Sequence, residues 1–174
     1  MTARPGLRKF VLTSHVVSSV GWLGAVAVFV ALGVVGLTSQ DPQVVRAVYL
    51  AMESAGWFVL VPLSLASLLT GLVQSLGTKW GLFRHYWILV KLLMNVVATI
   101  VLLLYMQTLS YLADVAAQSG GDLSDLRSPS PVLHAGIGLL LLLVAATLSV
   151  YKPRGMTRYG QRKQNEQRTA SATG

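Results

Sequence analysis

The sequence predicts an all-α fold, a four-helix transmembrane bundle with both termini cytoplasmic. Three observations predict it. Of 174 residues, 53% are hydrophobic and only 11% charged, well below the roughly 25% charged content of an ordinary soluble domain. The apolar residues gather in four runs, each near or above the ~18 residues that suggest a membrane span. The bases fall almost wholly on alternate connections between those runs.

The first run, about 10–37, contains no Asp, Glu, Lys or Arg. Its apolar stretch is about twice the 7–15 residues of a signal-peptide core, so it reads as a retained span. The second, about 48–76, carries Glu53 near its start and Pro62 mid-span. A membrane helix tolerates such a proline as a kink when neighbours satisfy the freed carbonyl. The third, about 86–112, carries Lys91, and the fourth, about 132–151, is the most purely aliphatic. About 20 helical residues cross the ~30 Å hydrocarbon layer, so the first three runs predict tilt or extension beyond it. Residues 1–151 thus form one membrane domain. Residues 152–174 are basic, lack apolar periodicity and predict a disordered tail.

The connections set the orientation. The N-terminus, the second connection and the tail hold eleven bases, including Lys79, Arg84, Lys152 and Arg154. The first and third connections hold Arg46 and Arg127 alone, beside Asp114, Asp122 and Asp125. The positive-inside rule then places both termini in the cytoplasm. The net charge of +8 is accounted for by topology and attraction to anionic lipid; nucleic acid is not an expected partner. The absence of cysteine excludes disulfides, thiolate metal sites, covalent haem attachment through CxxCH, and cysteine nucleophiles.

Ionisable residues inside a membrane are rare and costly, so each is a functional hypothesis. His15 lies about one and a half turns into the first span, and Lys91 lies at a similar depth in the third. Asn95 and Thr99 continue the Lys91 face at i+4 and i+8. His15 and Lys91 are therefore expected to face one internal cavity, with Asn95 and Trp22 as further cofactor-binding candidates. The plainer readings are an interhelical hydrogen bond for His15, a snorkelling side chain for Lys91 and core packing for Trp22. Glu53 and His134 begin their spans at the outer side and form a possible pair, as an interfacial contact or a point of proton access. His85 reads as interfacial. Small residues, among them Gly21, Gly24, Gly33, Gly36, Ser64, Ser67, Gly71, Ser75, Gly136 and Gly138, mark close helix approach.

Two segments carry a resemblance. His15 to Gly24 runs His, six residues, Trp, Leu, Gly, and Trp87 to Leu92 runs Trp, three residues, Lys, Leu. Together they resemble the four-helix membrane proteins of the HemJ-type protoporphyrinogen oxidase and copper-resistance D group. The chain as a whole resembles a family of actinobacterial four-helix integral membrane proteins. The HemJ-type resemblance implies haem b, with His15 as an axial ligand to the haem iron. Lys91 would contact a propionate, the substrate or the iron. The apolar stretch Ala25 to Leu37 departs from the charged Leu-Pro-Arg segment of the HemJ type, which weakens the inference to porphyrinogen oxidation.

The expected function is a redox role at the bacterial plasma membrane, with haem b or a quinone bound in the bundle. The alternative is a non-catalytic scaffold or accessory subunit, as a homo-oligomer or beside other membrane subunits. A small transporter ranks last, because the first span lacks the carboxylate that small drug exporters place there. No GxGxxG, Walker, HExxH or GxSxG motif is present.

Overall fold

The computed structural model describes residues 5–77, 82–118, 124, 126–151 and 155–172. Lys79, Trp80, Asp122, Asp125, Lys152 and Arg154 lie outside the described residues. Six α-helices follow in order: α1 (Pro5–Thr38), α2 (Pro42–Ala55), α3 (Val61–Gly77), α4 (Tyr86–Ala117), α5 (Ser130–Tyr151) and α6 (Arg158–Ala172). A π-helical turn, Gly56–Leu60, joins α2 to α3. Four helical segments are long and apolar enough to cross a membrane: Pro5–Thr38, Pro42–Leu76, Tyr86–Ala117 and Ser130–Tyr151. The chain is a multi-pass integral membrane protein, and four crossings put both termini at one end of the bundle.

Each span packs on its neighbours in the chain. α1 lies against α2–α3 and against α5, and α4 lies against the same two. The spans thus form a closed ring, with the first diagonal to the third and the second diagonal to the fourth.

Helix starts and stops lengthen the spans beyond their apolar runs. Asp41 caps α2 by accepting 2.8 Å from the Gln43 N–H, and Pro42 supplies a fixed φ at the first turn. The Asp-Pro pair therefore opens a helix after a connection of only three residues. Arg46, expected in that loop, lies within α2. Its guanidinium donates 2.9 Å to the Ala116 carbonyl and also to that of Gln118. Those carbonyls end α4, where orphan acceptors attract a cation. α4 accordingly runs five residues past its expected end at Leu112.

The second span carries a π turn just ahead of Pro62. The Val61 N–H bonds to the Gly56 carbonyl, five residues back. Pro62 has no N–H to donate, and its ring would press on the carbonyl one turn earlier. Widening the turn ahead of the proline relieves that contact. Gly56 lies close under Met106: a Cβ would stand 2.7 Å from Met106 Sδ.

The tail corrects the expectation of disorder over Arg158–Ala172. Thr157 donates through its hydroxyl to the Phe83 carbonyl and through its N–H, at 3.0 Å, to Arg84. The same hydroxyl accepts 3.1 Å from the Gly160 N–H, capping α6. Met156 bridges His85 in antiparallel fashion. Gly160 presses on Arg84 so closely that a Cβ would meet its carbonyl oxygen at 2.5 Å. Charged i,i+4 and i,i+3 contacts from Arg162 and Lys163 to Glu166, at 3.5 and 3.4 Å, run along the exposed side.

Packing is uneven along the bundle axis. At the end remote from the termini, Val45, Tyr49, Met52, Met106, Leu109 and Leu126 are almost wholly buried in one cluster. The Tyr49 hydroxyl donates to the Leu126 carbonyl, pinning the third connection over this core. Gly33 and Gly36 admit Val132 and Tyr49 respectively. Toward the termini the interior turns polar, with Ser18, Ser64, Ser67 and Thr99 buried.

Candidate functional site

His15 is the centre of the polar half. α1 carries it, and α3 seats it. Its Nδ1 lies 3.2 Å from the Ser67 carbonyl and 3.2 Å from Thr70 Oγ1. A carbonyl only accepts, so Nδ1 carries the proton. Thr70 is free to accept as well, because its own hydroxyl donates 2.5 Å to the Ala66 carbonyl. The contact thus selects the Nδ1–H tautomer of the neutral ring, in which Nε2 keeps its lone pair. Gly71 makes the seat possible: a Cβ there would stand 2.9 Å from His15 Cε1. One turn further in, Ser19 and Ser67 share a hydrogen bond of 2.8 Å across α1 and α3. The Ser18 hydroxyl donates 3.1 Å to the His15 carbonyl.

Helix register puts Lys91 at the same level. Gly56 touches Met106 across the second and third spans. Fifteen residues from Gly56 toward the termini end is Gly71, under His15, and fifteen from Met106 is Lys91. The two residues stand on diagonal spans of the ring. The Lys91 ammonium also sits 5.7 Å from the Trp87 ring centroid, one turn nearer the termini. That is the direction of snorkelling and a distance at which an aromatic face attracts a cation. Asn95 follows, half-buried, and Thr99 is buried beyond it.

Trp22 lies deeper in the first span than His15. It is 3% exposed and belongs to the apolar cluster with Val26 and Phe29. Glu53 and His134 are not brought together. They sit on diagonal spans, and among the described residues no ion pair joins them. His134 instead stacks on Tyr105, with ring centroids 4.0 Å apart. Its Nδ1–H donates 3.0 Å to the Ser130 carbonyl, while the Tyr105 and Ser130 hydroxyls meet at 3.1 Å. His85 precedes α4 at the other end, its carbonyl accepting 3.2 Å from the Ile88 N–H.

Sequence reading assigned Ser67 and Gly71 to helix packing and passed over Thr70. Their spacing, one helical turn apart on a span neighbouring His15, was the available sign that they form its seat. The Tyr105–Ser130–His134 group had no such sign, because its members meet only through tertiary packing. Among the described residues no group of three His, Cys, Asp or Glu side chains is placed to hold a metal ion. The polar half therefore offers one strong neutral donor, His15, one cation, Lys91, and a set of hydroxyls. Comparison with family models, curated proteins and solved structures found no match for this chain.

Proposed function

We propose that this is a redox protein of the bacterial plasma membrane that binds haem b in the termini half of its bundle, with His15 as axial ligand. The observation that carries the reading is the Nδ1–H bond of His15 to the Ser67 carbonyl, at 3.2 Å. Histidines that ligate metals almost always donate their other ring nitrogen in this way, which fixes the tautomer and raises ligand basicity. Haem iron takes such a neutral imidazole.

The residues fit the group in kind. His15 supplies one axial bond, and Lys91 supplies a cation at the same depth for a propionate. Asn95 offers an amide on the Lys91 face. Trp22 is core, so this reading assigns it no contact. A second axial histidine at this level is not available, since His85 stands at the start of α4 and His134 near the opposite end. The reading is thus of a haem with one histidine ligand. When bound, haem supplies one-electron chemistry; the protein fixes the imidazole, places the ammonium and keeps the site apolar beyond Thr99. A quinone fits less well, because the only proton on His15 is already given to Ser67 and Lys91 alone would donate to a quinone carbonyl.

Orientation follows from charge. Eleven bases on the termini side against two on the other place the termini in the cytoplasm. The test is a visible spectrum of detergent-purified protein from haem-replete cells. A Soret band is expected, lost in His15→Ala and retained in His134→Ala. Wild-type protein that stays colourless on haem titration would reject the reading and leave a non-catalytic accessory subunit in its place.

A further inference from the structure

Thr99 is out of keeping with its surroundings. It is 4% exposed, and its hydroxyl meets no hydrogen-bonding partner among the described residues. Elsewhere in the spans, hydroxyls bond back to a carbonyl three or four residues earlier, as those of Ser64, Ser75, Thr147 and Ser149 do at 2.8–2.9 Å. A hydroxyl buried in an apolar site without a partner costs free energy that a membrane interior does nothing to offset.

Its level in the bundle is informative. From the Gly56–Met106 contact, eight residues along the second span reach Ser64 and seven along α4 reach Thr99. Gly21 on α1 lies against Leu63, one residue away from that level. One turn nearer the termini come Ser18, Ser19, Ser67 and Asn95. The turn after that brings His15, Thr70 and Lys91. Polar side chains thus recur on the first three spans over three successive turns from the termini end to mid-bundle, with Trp22 of α1 packed near the level of Thr99. Beyond Thr99 the interior changes to Val26, Phe29, Leu60, Met52 and Met106, all at most 7% exposed.

We propose that this polar column holds a file of water that enters from the termini side, ends at Thr99 and does not continue through the bundle. Water is the ligand whose chemistry suits the column: it donates to and accepts from hydroxyls, and buried waters usually satisfy polar groups that the protein leaves bare. The terminal water donates to or accepts from Thr99 Oγ1. Others meet the remaining lone pairs of Ser64, Ser67 and Ser19. The column gives His15 exchange of water and protons with one side of the membrane only, because among the described residues Val26, Phe29, Leu60, Met52 and Met106 pack an apolar layer directly above Thr99. The inference does not depend on haem.

The natural absence of cysteine makes the test clean. Single variants Asn95→Cys, Thr99→Cys and Met106→Cys are placed in vesicles of both orientations, with Ser171→Cys in the tail as an accessible control. Silver ion, small enough to follow a file of water, is added from one side, and unreacted thiol is then counted after denaturation. Silver should block Asn95→Cys and Thr99→Cys from the termini side alone and leave Met106→Cys untouched from either. Thr99→Cys remaining unreacted while Ser171→Cys reacts would overturn the proposal. So would reaction of Thr99→Cys or Met106→Cys from the opposite side. Thr99→Val gives a second measurement that needs no thiol chemistry. A watered hydroxyl predicts a lower melting temperature for Thr99→Val; an unchanged or higher one contradicts the water.

Discussion

Single atoms decide the His15 site. Gly71 is the clearest case, since the methyl of an alanine would stand 2.9 Å from His15 Cε1. Both helices are packed at that point, so the imidazole must turn away and lose its bonds to Ser67 and Thr70. Overpacking of this kind costs about 1–3 kcal/mol. Gly71→Ala should therefore lower thermal stability, measured by circular dichroism, and abolish any His15-dependent absorbance. Gly24→Ala is the matched control, because a Cβ there meets nothing within 4 Å. Its melting temperature should equal or exceed the wild-type value, since alanine favours the helix where it meets no obstacle. The sequence showed His15 and Lys91 as unusual at once, because polar groups stand out against apolar runs. It did not distinguish Gly71 from Gly24, because a glycine's importance lies in the neighbour it admits.

Among the elements, span existence was legible and span limits were not. Hydropathy marks where lipid contact begins and ends, whereas the helices here are ended by caps. Asp41-Pro42 and the Arg46 guanidinium set the far ends of α2 and α4 through backbone groups that hydropathy does not register. The tail helix was missed for the same reason. Its cap, Thr157, and its docking glycine, Gly160, are weak signals in a polar segment. The structure makes a sharp statement about them. A side chain at position 160 has only the Arg84 backbone to displace, so Gly160→Leu should detach α6. Limited trypsin digestion should then cleave between Arg158 and Arg168 faster than in the wild type, while the melting of the bundle stays the same. Equal cleavage rates would show that α6 is not held by this contact.

For the whole molecule, the ring of four antiparallel spans sets which elements lie side by side. His15 and Lys91 are diagonal, as are Glu53 and His134, and matching depth is what the sequence conveyed in both cases. Depth alone is insufficient. His15 lies in the half of the bundle where Ser18, Ser64, Ser67 and Thr99 are buried, while toward the other end Tyr49, Met52 and Met106 pack in one apolar cluster. Charge distribution predicts that the ring stands with its termini in the cytoplasm. Reporter fusions within 38–40 should read as extracytoplasmic, and fusions after Ala172 as cytoplasmic. The reverse pattern would invert the bundle and with it the side from which His15 is reached.

The central claim is that the fold holds His15 with Nδ1 protonated against Ser67, leaving Nε2 as a donor of electrons. With three histidines in the chain, nitrogen-15 magnetic resonance of labelled protein reads this directly, and His15→Ala assigns the signal. The account predicts a neutral His15 with a protonated Nδ1 and a bare Nε2, whose resonance is displaced or broadened when haem is added. A neutral His15 protonated on Nε2 in place of Nδ1 would contradict it, because that ring can neither donate to the Ser67 carbonyl through Nδ1 nor offer Nε2 to a metal.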